Sequence, residues 1–321
     1  MAGHPLSFGV MLMSTIRNED IAPGFPRFTK AVELAETLKF DAVWTGQSYA
    51  LGGPDSFQML THAASITSNL HFGTSVFLLP MRHPTTTALQ VATLDQLSGG
   101  RFLFGVGVGG ERGADFTLNG IKPSQRGALM DECLDVITQL WTGDDIEHHG
   151  RFYEISGKLG IKPLQSPMPV LLGARGGRSP QQQRVFDRVV KHGRGWLPYI
   201  MTPNGYARGQ EALKERGAPD DLRYGIVEMT NVGDGDGSEA IEVAAINEAR
   251  GYNSTVDVMR NLVLAGNPQQ VIDRMNAYVD LGVTEFVFNW ACDPKDVEDQ
   301  MRRLAADVLP AVREHHAARA S

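Results

Sequence analysis

Two textures alternate along the chain. Short, continuous apolar runs end at glycine- or proline-rich corners, and a longer amphipathic stretch follows each. The runs that read as strands are Leu6–Leu12, Asp41–Thr45, His71–Leu79, Arg101–Val108, Pro169–Gly173, Gly195–Pro198, Arg223–Val232 and Glu285–Asn289. Stretches of helical period follow them at Phe25–Leu38, Ser56–Thr67, Thr85–Leu97, Arg126–Trp141, Pro180–His192, Pro203–Arg216, Ser238 to Leu281 and Pro294–Arg313. Strict alternation of strand and helix predicts a parallel sheet with helices packed on it, and eight such units predict closure into a (β/α)8 TIM barrel. Runs such as FLFGV and FVF, apolar without alternation, suit strands buried on both faces. A doubly wound open sheet would leave the eighth unit without a place.

Three intervals exceed the simple repeat, giving loop insertions after strand 4, before strand 5 and near strand 7. Gly110–Gln125 is too long for a bare strand-to-helix turn, and Asp144–Lys162 reads as a hairpin around IEHH-G-RFYEI. Gly233–Gly266 holds additional helix beyond an exposed GDGDG turn. No longer repeat interrupts the pattern, so residues 1–321 are expected to form a single domain.

Composition narrows the function classes. The formal net charge is −7, and no basic stripe is present, which argues against nucleic-acid or anionic-membrane partners. No stretch reaches the roughly 18 apolar residues of a membrane span, and MAGHPLSFGVML lacks the layout of an export signal. Cys133 and Cys292 have no metal or redox spacing, so both are expected as packing residues in a reducing, cytoplasmic compartment. The scattered histidines form neither HxH nor HExxH, and no metal site is expected. A GxSxG elbow is also missing. What remains is a cradle for a cofactor that carries the chemistry itself.

Four segments carry that reading. Gly105-Val106-Gly107-Val108-Gly109-Gly110 closes strand four. It serves either as a tight turn or as backbone stripped bare so that a flat ring can approach. Gly173-Ala174-Arg175-Gly176-Gly177-Arg178-Ser179-Pro180 leads into a helix. There Ser179 suits the N-cap and Pro180 the first turn, and the exposed N–H groups with Arg175 and Arg178 suit a phosphate. A capped surface helix with solvated arginines is the plainer alternative. Gly73-Thr74-Ser75-Val76 runs on to Arg82-His83-Pro84, and Trp44-Thr45-Gly46-Gln47-Ser48-Tyr49 puts a polar cluster at the end of strand two, where barrel enzymes place reactive groups.

These segments resemble the bacterial luciferase-like superfamily of flavin-dependent monooxygenases and F420-dependent oxidoreductases. The resemblance is carried by FDAVWTGQSY, LHFGTSVFLLPMRHP, ATLDQLSGGRFLFGVGVGG, LWTGDDIEHHGRFYEI and NPQQVIDRMNAYVDLGVTEFVF. It implies a non-prolyl cis peptide at Ser75–Val76, whose bulge props the isoalloxazine from behind. It further implies a cofactor lying against Ser75, Val76, Gly107, Gly109 and Gly110, with its phosphate held by Ala174, Arg175, Gly176, Gly177, Arg178 and Ser179. The GTSV form is closer to the deazaflavin-using branch, so F420 is the expected cofactor and FMN the alternative. The expected reaction is hydride transfer with a small organic substrate, in a homodimer. The rivals are a monooxygenase using reduced FMN, a catalytically silent flavin-binding barrel and an unrelated phosphosugar-binding barrel.

The chain departs from the family pattern at strand two. Gln47 and Ser48 stand where the acid and the catalytic histidine are carried, and Gly110 stands where a glutamate follows the strand-four glycines. The remaining candidates for catalysis are Gln47, Ser48, Tyr49, His83 and Glu111.

Overall fold

Eight parallel strands close into a barrel in the computed structural model, which describes residues 4–16, 21–50, 53–109, 113–173, 175, 180–249 and 255–320. They are β1 (Ser7–Met11), β2 (Ala42–Thr45), β3 (His71–Thr74, continued by Phe77–Leu78), β4 (Phe102–Gly107), β5 (Val170–Leu172), β6 (Gly195–Trp196), β7 (Arg223–Val232) and β8 (Glu285–Trp290). Each pairs with the next in sequence, from Gly9 opposite Ala42 round to Gly225 opposite Glu285. Ser7 opposite Glu285 joins β8 back to β1 and removes both sheet edges.

The helices are α1 (Ile21–Thr37), α2 (Ser56–Ile66), α3 (Pro84–Leu97), α4 (Gly113–Leu118), α5 (Arg126–Leu140), α6 (Pro180–His192), α7 (Pro203–Glu215), α8 (Ser238–Ala249), α9 (Val256–Arg260), α10 (Pro268–Val279), α11 (Val297–Arg303) and α12 (Leu309–Ala320). Their starts follow local chemistry. Asp55 accepts from the N–H groups of Phe57 and Gln58, and Thr202 from Gly205, with Pro203 in the first turn. Asn267 and Gln270 form a reciprocal capping box on α10.

The departures from the expected elements are local. The stretch from Ser238 to Leu281 divides into α8, α9, a short strand Leu264–Gly266 paired to β7, and α10. The interval after β4 contains α4. The interval before β5 forms the expected hairpin, Ile146–His149 against Glu154–Gly157. Glu132 of α5 anchors its turn, accepting from the N–H groups of Arg151, Phe152 and Tyr153 at 2.8–3.1 Å.

Apolar side chains separate into two principal layers. The larger lies between strands and helices and includes Phe8, Phe72, Phe102, Phe104, Phe286 and Phe288. Inside the barrel, Met11, Ala42, Trp44, Leu103, Leu171, Leu197, Val227 and Val287 pack on one another. The Trp44 indole of β2 occupies space left open by both neighbouring strands. A Cβ on Gly9 of β1 or Gly73 of β3 would overlap the ring, while one on Gly105 of β4 would first strike the Thr74 carbonyl.

The DQLSGGR run is structural. Buried Asp95 accepts from the backbone N–H of Gln165 at 3.0 Å and from its side-chain amide at 2.6 Å. Arg101 donates to the carbonyls of Ser98 and Leu70 and lies 4.9 Å over the Phe72 ring. These contacts pin the entry to β4 and the approach to β5, at the barrel end away from the mouth.

Candidate functional site

The C-terminal ends of the strands surround a mouth with two unlike halves. Alternation along each strand carries the inward-facing rows up to Gly46 after β2, Gly107 on β4 and Gly173 after β5. On β3 the peptide between Ser75 and Val76 is cis, as the family resemblance implies, and the strand breaks there. Ser75 N–H donates to the Thr45 carbonyl at 2.7 Å, and the Val76 carbonyl accepts from Gln47 N–H at 3.3 Å. The break sets the Val76 side chain in front of β4 and β5. A Cβ on Gly107 would lie 2.6 Å from a Val76 methyl, and one on Gly173 would collide with the other methyl. At Gly46, Gly107 and Gly173, therefore, the rim is bare backbone, with the Val76 side chain lying across the last two. Gly109, at φ +68°, turns the chain away behind it.

The opposite half, from β6 round to β1, bears side chains. Tyr199 follows β6 and packs against the barrel interior, Met229 lies in the inward row of β7 with Asn231 beyond it, and Met11 ends that of β1. Asn289 of β8 donates from Nδ2 to the Tyr199 hydroxyl at 3.5 Å. Tyr199 and Asn289 are each half-buried, so both reach the mouth.

The expected catalytic candidates mostly brace this arrangement. Gln47 straps the bulge twice, through its N–H and through Oε1, which accepts from Leu78 N–H at 3.4 Å. Ser48 donates to Asp115 of α4, whose buried carboxylate also accepts from the N–H groups of Tyr49 and Ala50 at 2.7 and 2.9 Å. Where the resemblance implies a histidine, the chain has a seryl contact to a loop-ordering aspartate. The Tyr49 hydroxyl accepts from Arg82 Nε at 3.1 Å, and Arg82 also pairs with Asp55. His83 caps α3, its Nδ1 accepting from Thr85 N–H, and its ring meets Tyr153 edge-on. Gly110, Glu111, Ala174, Gly176, Gly177, Arg178 and Ser179 lie outside the described residues; α6 begins at Pro180.

Behind the β5–β7 side of the mouth, Glu228 points outward from β7 into the helical layer and is 1% exposed. Burial pushes its carboxyl up to about 8, against the pull of Arg274, the Tyr278 hydroxyl, the Met201 backbone and Arg175. The Tyr278 hydroxyl donates to the Met201 carbonyl and ties α10 to the loop after β6. No group of three His, Cys, Asp or Glu capable of holding a metal occurs among the described residues, and no helix there is long and apolar enough to cross a membrane.

Tyr199, Asn289, Asp115 and Glu228 are the site and support residues that the sequence reading missed. For the first two a signal existed: each is a polar residue ending an apolar strand run, GWLPY and FVFN.

Comparison with known proteins agrees with this architecture. A Mycobacterium tuberculosis protein provisionally named a coenzyme F420-dependent oxidoreductase is 30% identical over 197 residues, 57% of this chain and 54% of the relative. The chain thus spans about half the length of the first curated relatives it matches. The 5,10-methylenetetrahydromethanopterin reductase of Archaeoglobus fulgidus is 25% identical over 87% of this chain and 93% of its own. Among solved structures, the coenzyme F420-dependent tetrahydromethanopterin reductase of Methanopyrus kandleri superposes with a TM-score of 0.75 at 21% identity, covering 96% of this chain and 99% of that one. The oxygenating constituent of 3,6-diketocamphane monooxygenase from Pseudomonas putida, in complex with FMN, gives 0.75 at 18%, covering 96% and 98%. At these identities the superpositions speak for the fold. The family model for luciferase-like monooxygenases matches residues 6–256, and the chain belongs to that family.

Proposed function

We propose that this chain is an F420-dependent oxidoreductase in which a single barrel domain holds the deazaflavin over the bare β2–β5 half of its mouth. The observation that carries the reading is the Val76 side chain, set by the cis Ser75–Val76 unit across Gly107 and Gly173. A Cβ at either glycine would fill the place, so the surface fits a flat ring lying against Val76. The names of the mycobacterial relative and of the Methanopyrus structure favour the deazaflavin. The FMN complex of the Pseudomonas enzyme supports the second reading, a reduced-flavin monooxygenase.

When bound, the deazaflavin supplies two-electron hydride transfer to or from carbon. The chain's own residues hold and shield it. Gln47 and Thr45 fix the bulge, Asp115 fixes the loop after β2, and residues 174–179, which precede the start of α6, take the phosphate. Side chains from β6, β7, β8 and β1 close the other half and keep water from the ring.

Spectral titration with each coenzyme tests this. Saturable binding of F420, with FMN bound far more weakly, is expected. The reverse preference would replace the reading with the monooxygenase, and binding of neither would return the mouth to a phosphosugar site. Arg178→Ala is expected to weaken the coenzyme by roughly tenfold or more, the share of one charge-assisted hydrogen bond.

A further inference from the structure

At the end of the barrel away from the mouth lies a cavity that the cofactor reading does not use. Its volume is about 500 Å³, within the range of small-molecule sites, and it opens below the strand starts. Alternation turns Ser7 of β1, His71 of β3, Leu103 of β4, Arg223 of β7 and Glu285 of β8 toward the barrel axis there. Leu6 and Leu70 line it beside Leu103, and Glu36, Lys39 and Asp41 stand at the end of α1 and the start of β2. The packed interior around Trp44 separates this floor from the mouth.

The ionisable groups of the floor are unequally satisfied. Glu36 accepts from the N–H groups of Ser68 and Asn69 at 2.8 and 2.7 Å. Asp41 accepts from Phe8 N–H at 2.8 Å and from Arg313 at 2.9 Å. Glu285, 1% exposed, accepts from the Ser7 hydroxyl at 2.8 Å and from Arg223 at 3.3 Å. The acids are thus all engaged, whereas the bases are not. Arg223 gives only Nη1 to Glu285, and its other guanidinium hydrogens meet no acceptor among the described residues. The Lys39 ammonium has no partner among them.

Burial pushes the Glu285 carboxyl up to about 7, against the pull of Arg223 and Ser7 and with a push from Asp41. Burial, Arg223 and Arg101 hold the His71 ring below its usual 6.5 despite Asp41, so above pH 7 it is largely neutral. Around neutral pH, therefore, it is Glu285 that changes the charge of the floor. With its proton on, it donates a hydrogen bond and leaves Arg223 to another anion. A carboxylate head would take these donors, and the leucines offer its body an apolar wall. An amine would meet only acids that already have partners, together with Lys39.

We propose that the barrel floor is a second binding site, for a small organic acid whose carboxylate pairs with Arg223 and Lys39 and whose apolar body lies on Leu103.

The test uses the full chain and three probes followed by ligand-observed NMR. They are benzoate, acetate with the same head and almost no body, and benzylamine with a similar body and the opposite charge. Wild type should bind benzoate, and acetate and benzylamine far more weakly. Benzoate affinity should be about tenfold higher at pH 6 than at pH 8, the ratio of protonated Glu285 for a group titrating at about 7. Glu285→Gln should bind benzoate at pH 8 about as tightly as wild type does at pH 6, a gain that a misfolded protein cannot mimic. Arg223→Gln should weaken benzoate by about tenfold or more at pH 6. Lys39→Gln, a change at the surface, should weaken it by about two- to fivefold. Circular dichroism identifies variants that have kept the fold, and neither F420 nor FMN should displace the probe. Absence of benzoate binding, or equal binding of acetate or benzylamine, would overturn the proposal. So would a folded Glu285→Gln that binds no tighter than wild type at pH 8, or displacement by either coenzyme.

Discussion

Replacing Glu228 with glutamine should make the protein more stable at alkaline pH and leave it nearly unchanged at pH 5. The side chain is 1% exposed, and burial lifts its carboxyl from an ordinary 4.5 to about 8. Because the folded state binds the proton more tightly than the unfolded one, this group's contribution is complete below 4.5. It falls as pH rises and is lost once pH passes about 8. That gap, at about 1.4 kcal/mol per pH unit, sets a ceiling of about 5 kcal/mol. Water entry around the ionised group lowers the figure, and about 2 kcal/mol between pH 5 and 9 is the smallest change consistent with such deep burial. Glutamine keeps the shape without the charge. Urea unfolding of both proteins at pH 5, 7 and 9 reads the difference directly, since every other titrating group, including Glu285 at about 7, is common to both. The variant should gain relative to wild type as pH rises. Parallel stability curves, or a wild type that gains on the variant at pH 9, would refute the account of Glu228 as an acid held neutral by burial.

Other expectations follow from the mouth and its supports. Gly107→Ala places a methyl 2.6 Å from Val76 and should weaken whichever coenzyme binds by tenfold or more, read by spectral titration, with unfolding shifted by about 1–3 kcal/mol. Asp115→Ala strands the N–H groups of Tyr49 and Ala50 and should lower stability by about 2–4 kcal/mol in urea, with Asp115→Asn falling between. Glu132→Ala removes the acceptor for three consecutive N–H groups in the hairpin turn, and amide exchange there should accelerate well before that of β4. Burial pushes the thiols of Cys133 and Cys292 up to about 12, so neither should react with a disulfide reagent at pH 8 until the protein is unfolded.

The barrel was legible because several strands are buried on both faces and carry continuous apolar runs, as in Phe102–Gly107 and the FVF of β8. The two-residue β6 and the strand Leu264–Gly266 were harder, one bounded by proline and the other set inside a long helical texture. The bare half of the mouth could be anticipated from glycines grouped at strand ends. Its partner half could not be assembled, because Tyr199 and Asn289 are 90 residues apart and meet only once β6, β7 and β8 are laid side by side. His83 looked chemical in isolation, yet its place before Pro84 gives it the helix-capping task seen in the fold. Asp115 was hidden for a different reason: a short helix in a glycine-rich insertion leaves little periodic signal.

The placement of Trp44 bears on how the chain can change over generations. One indole ring and the missing side chains of Gly9 and Gly73 are complementary parts of a single solid, supplied by β2 and by the strands on either side of it. Neither glycine can acquire a methyl while the ring is large, and the ring cannot shrink without leaving a hole that only new methyl groups would fill. Substitutions at these three positions are therefore expected to be inherited together, with Trp44→Phe tolerated best in a chain that soon gains alanine at Gly73. Gly105 stands apart, because the Thr74 carbonyl bars a methyl there whatever ring β2 carries.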